Sequence, residues 1–337
     1  MAKRIGTRTI LLEKPPKIIG YGSAVGHLEH EGPLGKEFDF YSNDCRFGEK
    51  SFEKAESRLQ KTALEHAFRR AGVTPAEVDA VFAGDLLNQC IGSSFGLREL
   101  GIPFVGLYGA CSTMTLALTM AALTIESGAA ETTAAVTSSH FCSAERQYRF
   151  PLEYGCVRPQ TAQHTVTGSG ALILGSSDAD KPKITAITVG EIKDFGVKDA
   201  NNMGAAMAPG AADTLLHYFE DTGTAPDDYD VIYTGDLGAV GTELLYQLLD
   251  KDGVDLRCKH SDCGLIIYDR DRQDVHSGGS GCGCSASVLA SFVLHRFESG
   301  DFHNILFLST GALLSPTSTL QGESIPTVAH LIRICTD

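Results

Sequence analysis

Cys111 stands where a thiol can do chemistry, between an apolar run from Phe104 to Gly109 and a stretch from Ser112 to Gly128 that is apolar on every face. The run after Pro103 reads as a buried strand. Met114, Leu118, Ala121 and Ile125, with the apolar residues between them, make the next element a helix packed on both sides. Gly128 is its natural stop, and Ser112 or Thr113 can cap its start. A thiol at the entrance of such a helix meets unpaired N–H groups and the positive end of the helix dipole, which favour a thiolate or a bound anion. Cys111 is therefore either a nucleophile or a small, inert core cysteine.

Two further stretches concentrate polar chemistry. Ser138 to Arg149 carries Ser139, His140, Arg146 and Arg149, followed by Phe150. The two arginines, three apart, share a face if the segment is helical, or else pair on the surface with Glu145 or Glu153. Arg257 to Ser277 holds His260, Asp262 and Cys263. Cys258, Cys263, Cys282 and Cys284 form an all-thiolate set, but C-x4-C and C-x-C are not the paired C-x2-C spacing of zinc knuckles, so no metal is expected.

These residues are positioned by a duplication. LEHAFRRAGVTPAEVDAVFAGDL, Leu64 to Leu86, matches LLHYFEDTGTAPDDYDVIYTGDL, Leu215 to Leu237, at a constant offset of 151 (215 − 64). Each copy reads helix, Gly stop, Pro turn and a strand ending in Gly-Asp-Leu, a unit of a mostly parallel sheet. Glu126-Ser127-Gly128 matches Glu298-Ser299-Gly300 at an offset of 172 (298 − 126), so the second half has gained about 21 residues (172 − 151). An inserted loop at 257–277 accounts for them. Cys111 maps to Gly283, which puts Cys282 and Cys284 ahead of a second buried helix, Ser285 to Glu298. The halves divide as 1–178 and 179–337. Asp85 and Asp236 occur in both copies, which favours a repeated capping or turn role.

The 337 residues, 43% hydrophobic and 21% charged, can bury a large core. A net charge of −14 argues against a nucleic-acid partner. Charges inside MAKRIGTRTILLEKPPKI argue against a secretory signal, no apolar run is long enough to span a bilayer, and ten cysteines without an export signal read as free thiols.

A duplicated unit with GAC at a strand-to-buried-helix turn resembles the thiolase-like superfamily of thiolases and ketoacyl synthases. EGPLG at 31–35, FAGDLLNQ at 82–89, SSHFCSAERQYRFPLEYG at 138–155, KHSDCGLIIY at 259–268 and GGSGCGCSA at 278–286 are similar to the stage V sporulation protein AD family over nearly the whole chain. The resemblance implies a five-layered thiolase-like α-β-α-β-α fold and a homodimer joined along the edge strand beside the Cys111 turn. It also implies binding of dipicolinic acid (pyridine-2,6-dicarboxylate), uptake of its calcium chelate into the developing spore and its release in germination. Membrane proteins of the same operon are the implied partners, and the inner membrane of the developing spore the implied location. No cofactor is implied.

A thiolase-like acyltransferase using Cys111, the alternative activity, needs His with His or Asn from the second half. The matching positions read GDLGAVG and GGSGCGCSA, with neither. Ligand binding is therefore the expected use of the pocket, with Cys111, Ser139, His140, Arg146, Arg149, His260, Asp262, Cys263 and Cys282 as candidate contacts and Tyr148 and Phe150 against the ring. Cys111, His140, His260 and Asp262 are expected to converge on one cavity at the strand C-terminal ends.

Overall fold

The computed structural model describes residues 2–148, 157–177 and 179–336. Its elements repeat. In the first half they are strands β1 (Lys17–Gly26), β2 (Ala80–Gly84), β3 (Phe104–Gly106), β4 (Thr133–Ser139) and β5 (Gly168–Gly175), with helices α1 (Phe52–Ala71), α2 (Thr113–Glu126) and α3 (Phe141–Tyr148). The second half has β6 (Lys183–Thr188), β7 (Val231–Thr234), β8 (His260–Asp262), β9 (Asn304–Ala312) and β10 (Thr327–Cys335), with helices α4 (Met203–Thr222) and α5 (Gly238–Asp250). A composite helix, α6, runs from Cys282 through a π-turn at Leu289–Val293 to Ser299. It starts three residues before the expected Ser285.

Strand order is β1-β5-β4-β2-β3 in one half and β6-β10-β9-β7-β8 in the other, and the two sheets meet at the pair Lys17–Lys183. In each half the first two ladders are antiparallel and the last two parallel, so the sheets are mixed rather than mostly parallel. Even the turn chemistry repeats: Asp79 accepts the N–H groups of Glu131 and Thr132, as Asp230 accepts those of His303 and Asn304.

Local sequence explains the outer helices. In α1, Ser51 caps the first turn by accepting from Lys54 N at 3.4 Å, Gly72 closes the last at φ 70°, and Ala55, Leu59, Ala63, Leu64 and Ala67 form a buried stripe at helical spacing. Asn202 and Gly223 do the same for α4. The middle layer is α2 with α6. Met114, Ala117, Leu118 and Ala121 of α2 join Ala286, Val288, Ala290 and Val293 of α6 in the central core between the sheets. A second core lies under α1 and a third under α4 and α5. Five layers result, α-β-α-β-α.

Two expectations about the edges are corrected. Phe104–Gly106 is not buried: it is an edge strand with Phe104 and Val105 about 40% exposed, because β2 pairs with only one of its sides. Nor is 257–277 one inserted loop. His260 pairs with Ile232 as Phe104 pairs with Val81, so β8 is the counterpart of β3 at an offset of 156 (260 − 104). Sixteen of the extra residues (172 − 156) therefore follow β8, and His260 and Asp262 sit on a repeated element.

Candidate ligand site at the Cys111 turn

The turn that presents Cys111 is held by its own hydroxyls. Ala110 takes φ 51°, a left-handed conformation that a non-glycine residue adopts only when its surroundings enforce it. Ser112 Oγ donates to Gly109 O at 2.7 Å, and Thr113 Oγ1 donates to Ala110 O at 2.5 Å while accepting Gly109 N–H at 3.1 Å. Those side chains brace the turn instead of capping α2, contrary to the sequence expectation. Strand β9 passes close behind, where a side chain at Gly311 would lie 2.4 Å from Gly109 O.

Cys111 is buried in the wall of a cavity with about 460 Å³ of empty space, the open solvent at its mouth included. Its walls are Leu86, Ala144, Met203 and Leu314, with hydroxyl groups from Tyr108, Tyr148, Thr165 and Ser280 and one carboxylate, Glu145. The Tyr108 and Tyr148 hydroxyls bond to each other at 2.9 Å, and Tyr148 also donates to Leu86 O. Asn88 N donates to Gln147 Oε1 at 2.9 Å, which ties α3 to the loop after β2.

Beside Cys111, in the stretch GDLGAVG that follows β7, stands Asp236. Its carboxylate is fully buried and accepts from Thr310 Oγ1 at 2.7 Å, from Gly281 N at 2.8 Å and from the Cys111 thiol. Burial pushes it up to about 7 despite those donors. Burial also raises the Cys111 thiol well above its ordinary value, and the charge of Asp236 and the neighbouring Cys282 add to that effect. The dipole of α2 is outweighed, and the thiol stays protonated at neutral pH. An anionic neighbour opposes the thiolate, whereas a cationic partner would favour it.

Asp85, the same position in the first half, accepts from Leu87 N, Ser93 N and Ser93 Oγ at 2.6–2.9 Å and shapes the turn after β2. The duplication therefore conceals two roles: Asp85 is structural as expected, whereas Asp236 reaches the site. The missed signal was the carboxylate standing where the family position called for His or Asn.

The expected convergence of Cys111 with His140, His260 and Asp262 does not occur. His140 Nδ1 accepts Cys142 N–H at 3.1 Å, so Nε2 carries the proton and donates to Cys45 O at 2.7 Å. Its ring packs near Phe47 and Phe52, away from the cavity. His260 lies at the far edge of the second sheet, where it donates from Nε2 to Thr234 Oγ1 at 2.8 Å and pairs through Nδ1 with Tyr246 at 2.9 Å. Burial lowers its pKa to about 4, which keeps it neutral. Asp262 accepts Thr234 Oγ1 at 2.6 Å and the N–H groups of Leu237 and Gly238, and so shapes the start of α5.

Ser139 donates to Val166 O at 2.7 Å and accepts from Gly283 N at 3.1 Å, bracing one half against the other. Cys263 is packed in the central core. Cys282 clusters with Cys111 and donates to Ser138 O at 2.9 Å. Arg146 pairs with Glu53 on the outer side of α3: Ala144 and Tyr148, four apart, face the cavity, so the residue midway between them faces away. Arg149 and Phe150 lie outside the described residues. Among the described residues, no group of three or more metal-ligating side chains assembles, and no helix is long and apolar enough to cross a membrane. The described cysteines are free thiols.

Comparison with known proteins agrees with this architecture. Two solved structures share the fold over nearly the whole of both chains. 3-Oxoacyl-[acyl-carrier-protein] synthase III of Aquifex aeolicus is 14% identical with a TM-score of 0.58, covering 95% of this chain and 99% of that one. The acetamide-bound OleA of Xanthomonas campestris is 15% identical with a TM-score of 0.60, covering 95% and 99%. The model of the stage V sporulation protein AD family matches residues 6–335. The Bacillus subtilis protein of that name is 43% identical over 328 residues, 97% of this chain and 96% of the relative. On a thiolase fold whose cysteine faces a buried aspartate, the chain belongs to the stage V sporulation protein AD family.

Proposed function

We propose that the chain binds dipicolinic acid in the Cys111 cavity without turning it over, and serves uptake of the calcium chelate into the developing spore and its later release. The carrying observation is a ketosynthase-like pocket in which buried Cys111 faces the Asp236 carboxylate and no histidine or asparagine stands among the described lining residues. The cavity offers a flat ring apolar walls from Leu86, Met203 and Leu314 with the rings of Tyr108 and Tyr148, and offers carboxylate oxygens the hydroxyls of Thr165 and Ser280. On this reading the chain works beside membrane-embedded proteins of the same operon, at the inner membrane of the developing spore.

Calorimetry tests the proposal. Dipicolinic acid should give saturable heat with the intact protein, and Tyr148→Ala should weaken binding by roughly 1–3 kcal/mol by removing a ring contact. An unchanged dissociation constant in that variant would refute the placement. Incubation with acyl-coenzyme A should leave Cys111 unmodified by intact-mass measurement. An acyl-thioester that forms and turns over would restore the acyltransferase reading.

We further propose that a second copy pairs along β3, where Phe104 and Val105 expose an apolar edge with one side of the strand open. Light scattering should give twice the chain mass, and Val105→Lys should shift it to the monomer. A wild-type monomer at micromolar concentration would overturn the pairing.

A further inference from the structure

The second half contains a cavity at positions where the described residues of the first half form packed core. It lies beneath a hairpin formed by Lys3–Ile5 and Thr9–Leu11, at the C-terminal end of α4, and is walled by Tyr218, Thr222, Thr224, Tyr229, Asn304 and Arg333. It has about 870 Å³ of empty space, the open solvent at its mouth included.

The duplication supplies an internal control. Tyr218, Thr222, Thr224 and Tyr229 correspond, at the offset of 151, to Ala67, Ala71, Val73 and Val78. Leu306 pairs with Arg333 as Ala134 pairs with Ile173, so Arg333 corresponds to Ile173. In the first half all five residues belong to a closed apolar core. The same backbone frame in the second half carries hydroxyls, a guanidinium and open space, a costly exchange where packing alone is at stake.

The polar groups are ordered. Asn304 Nδ2 donates to Asp228 O at 2.9 Å, which fixes its amide, and its Oδ1 accepts Arg333 Nε at 2.8 Å. The Asp228 carboxylate, on the same wall, accepts Ala225 N–H at 2.8 Å. The terminal nitrogens of Arg333 bond to no other described residue. A relay of hydroxyls lines the opposite wall: Thr222 to Thr224 at 2.8 Å, Thr224 to Tyr229 at 3.0 Å, and Tyr229 to Tyr218 at 2.9 Å. Thr222 Oγ1 also donates to Tyr218 O at 2.6 Å, so the four hydroxyl protons are committed within the relay, and a hydroxyl that turns toward the cavity exchanges a relay bond for a bond to the ligand.

We propose that this cavity is a binding site for a small oxyanion, a carboxylate or a phosphate, held bidentately by the Arg333 guanidinium and by donors from the Thr222–Thr224–Tyr229 relay. The planar fork of Arg333 matches two coplanar oxygens, and its stem is already immobilised by Asn304, so little freedom is lost on binding. The site is separate from the Cys111 cavity and independent of the ligand proposed there.

Titration of the intact protein with malonate and, separately, with inorganic phosphate at low ionic strength tests the assignment and identifies which oxyanion fits. Saturable binding of at least one probe is expected, weakening with added salt. Arg333→Gln should reduce the affinity at least about tenfold, as loss of a charge-assisted pair of hydrogen bonds does. Should that variant fold poorly, Thr224→Val keeps the guanidinium and should weaken the same probe about threefold. Tyr148→Ala, in the other cavity, should leave this binding unchanged. The proposal falls if neither probe saturates the wild-type protein at millimolar concentration, or if a folded Arg333→Gln or Thr224→Val binds as the wild type does.

Discussion

Gly170→Ala is expected to cost about 3 kcal/mol or more, a large fraction of the total stability of a folded protein. Gly170 lies in the middle of β5, paired with Ser23 on one side and Thr137 on the other, so the strand cannot shift without breaking two ladders. A methyl group there would stand 1.9 Å from Ala286 O and 2.3 Å from its carbonyl carbon. Both are backbone atoms of α6, which is clamped between the two sheets, so the clash cannot be relieved by turning a side chain. Helix α6 would have to move, taking with it Gly281, whose N–H is bonded to Asp236. Urea unfolding should show a large fall in the midpoint. Gly48→Ala is the control: that residue has φ 76° and no neighbour within 4 Å of the added atom, so only backbone strain of about 1 kcal/mol is expected. A Gly170→Ala protein as stable as the Gly48→Ala protein would show that the middle layer yields more readily than its packing indicates.

The second large effect is on the pH dependence of stability. Asp236 has an ordinary pKa of 3.8 and is held at about 7 in the folded chain. The folded state thus binds this proton more tightly than the unfolded state does. The stabilisation is complete below 3.8 and is lost as pH rises through about 7, by up to about 4 kcal/mol. Glu29, Glu56, Asp85 and Asp262 are also raised by burial and act in the same direction, so the wild-type protein should be more stable at pH 5 than at pH 8. Asp236→Asn cannot ionise, and its difference in unfolding free energy between these two pH values should be smaller by a few kcal/mol. The same change should make Cys111 easier to alkylate at mildly alkaline pH, because a charge that opposes the thiolate is gone. Identical pH profiles for the two proteins would mean that Asp236 keeps its charge throughout and that its three donors outweigh burial.

The frame of the molecule could be read from the chain because duplication converts weak local signals into repeated ones. The fixed offset of 151 places α4 on α1 to the residue, and apolar residues on all faces identified α2 within one residue of each end. What could not be read was direction. His140 and His260 are both close in sequence to the strand ends that surround a thiolase-like crevice. Whether an imidazole enters that crevice depends on the face of the backbone from which it leaves, and a residue at the end of a short strand gives no periodicity to decide it. Treating 257–277 as an insertion added to the error, because an offset across a gap says how many residues are gained and not where. Tyr148 was named from the sequence as a pocket candidate and lines the Cys111 cavity, whereas Tyr108 was hidden inside a run taken for buried strand.

The hairpin that roofs the oxyanion cavity also bears on how the chain reaches this fold. Its second strand pairs with β6 through Leu11–Ala186, across 175 residues (186 − 11), and Asp221 accepts the N–H groups of Thr7, Arg8 and Thr9. During synthesis those residues wait unpaired until β6 and α4 have formed, so docking of the hairpin follows the folding of the later half. Separating the chain between 178 and 179 would strand this hairpin on the wrong fragment, and the two repeats, alike as they are in outline, are not two independent folding units.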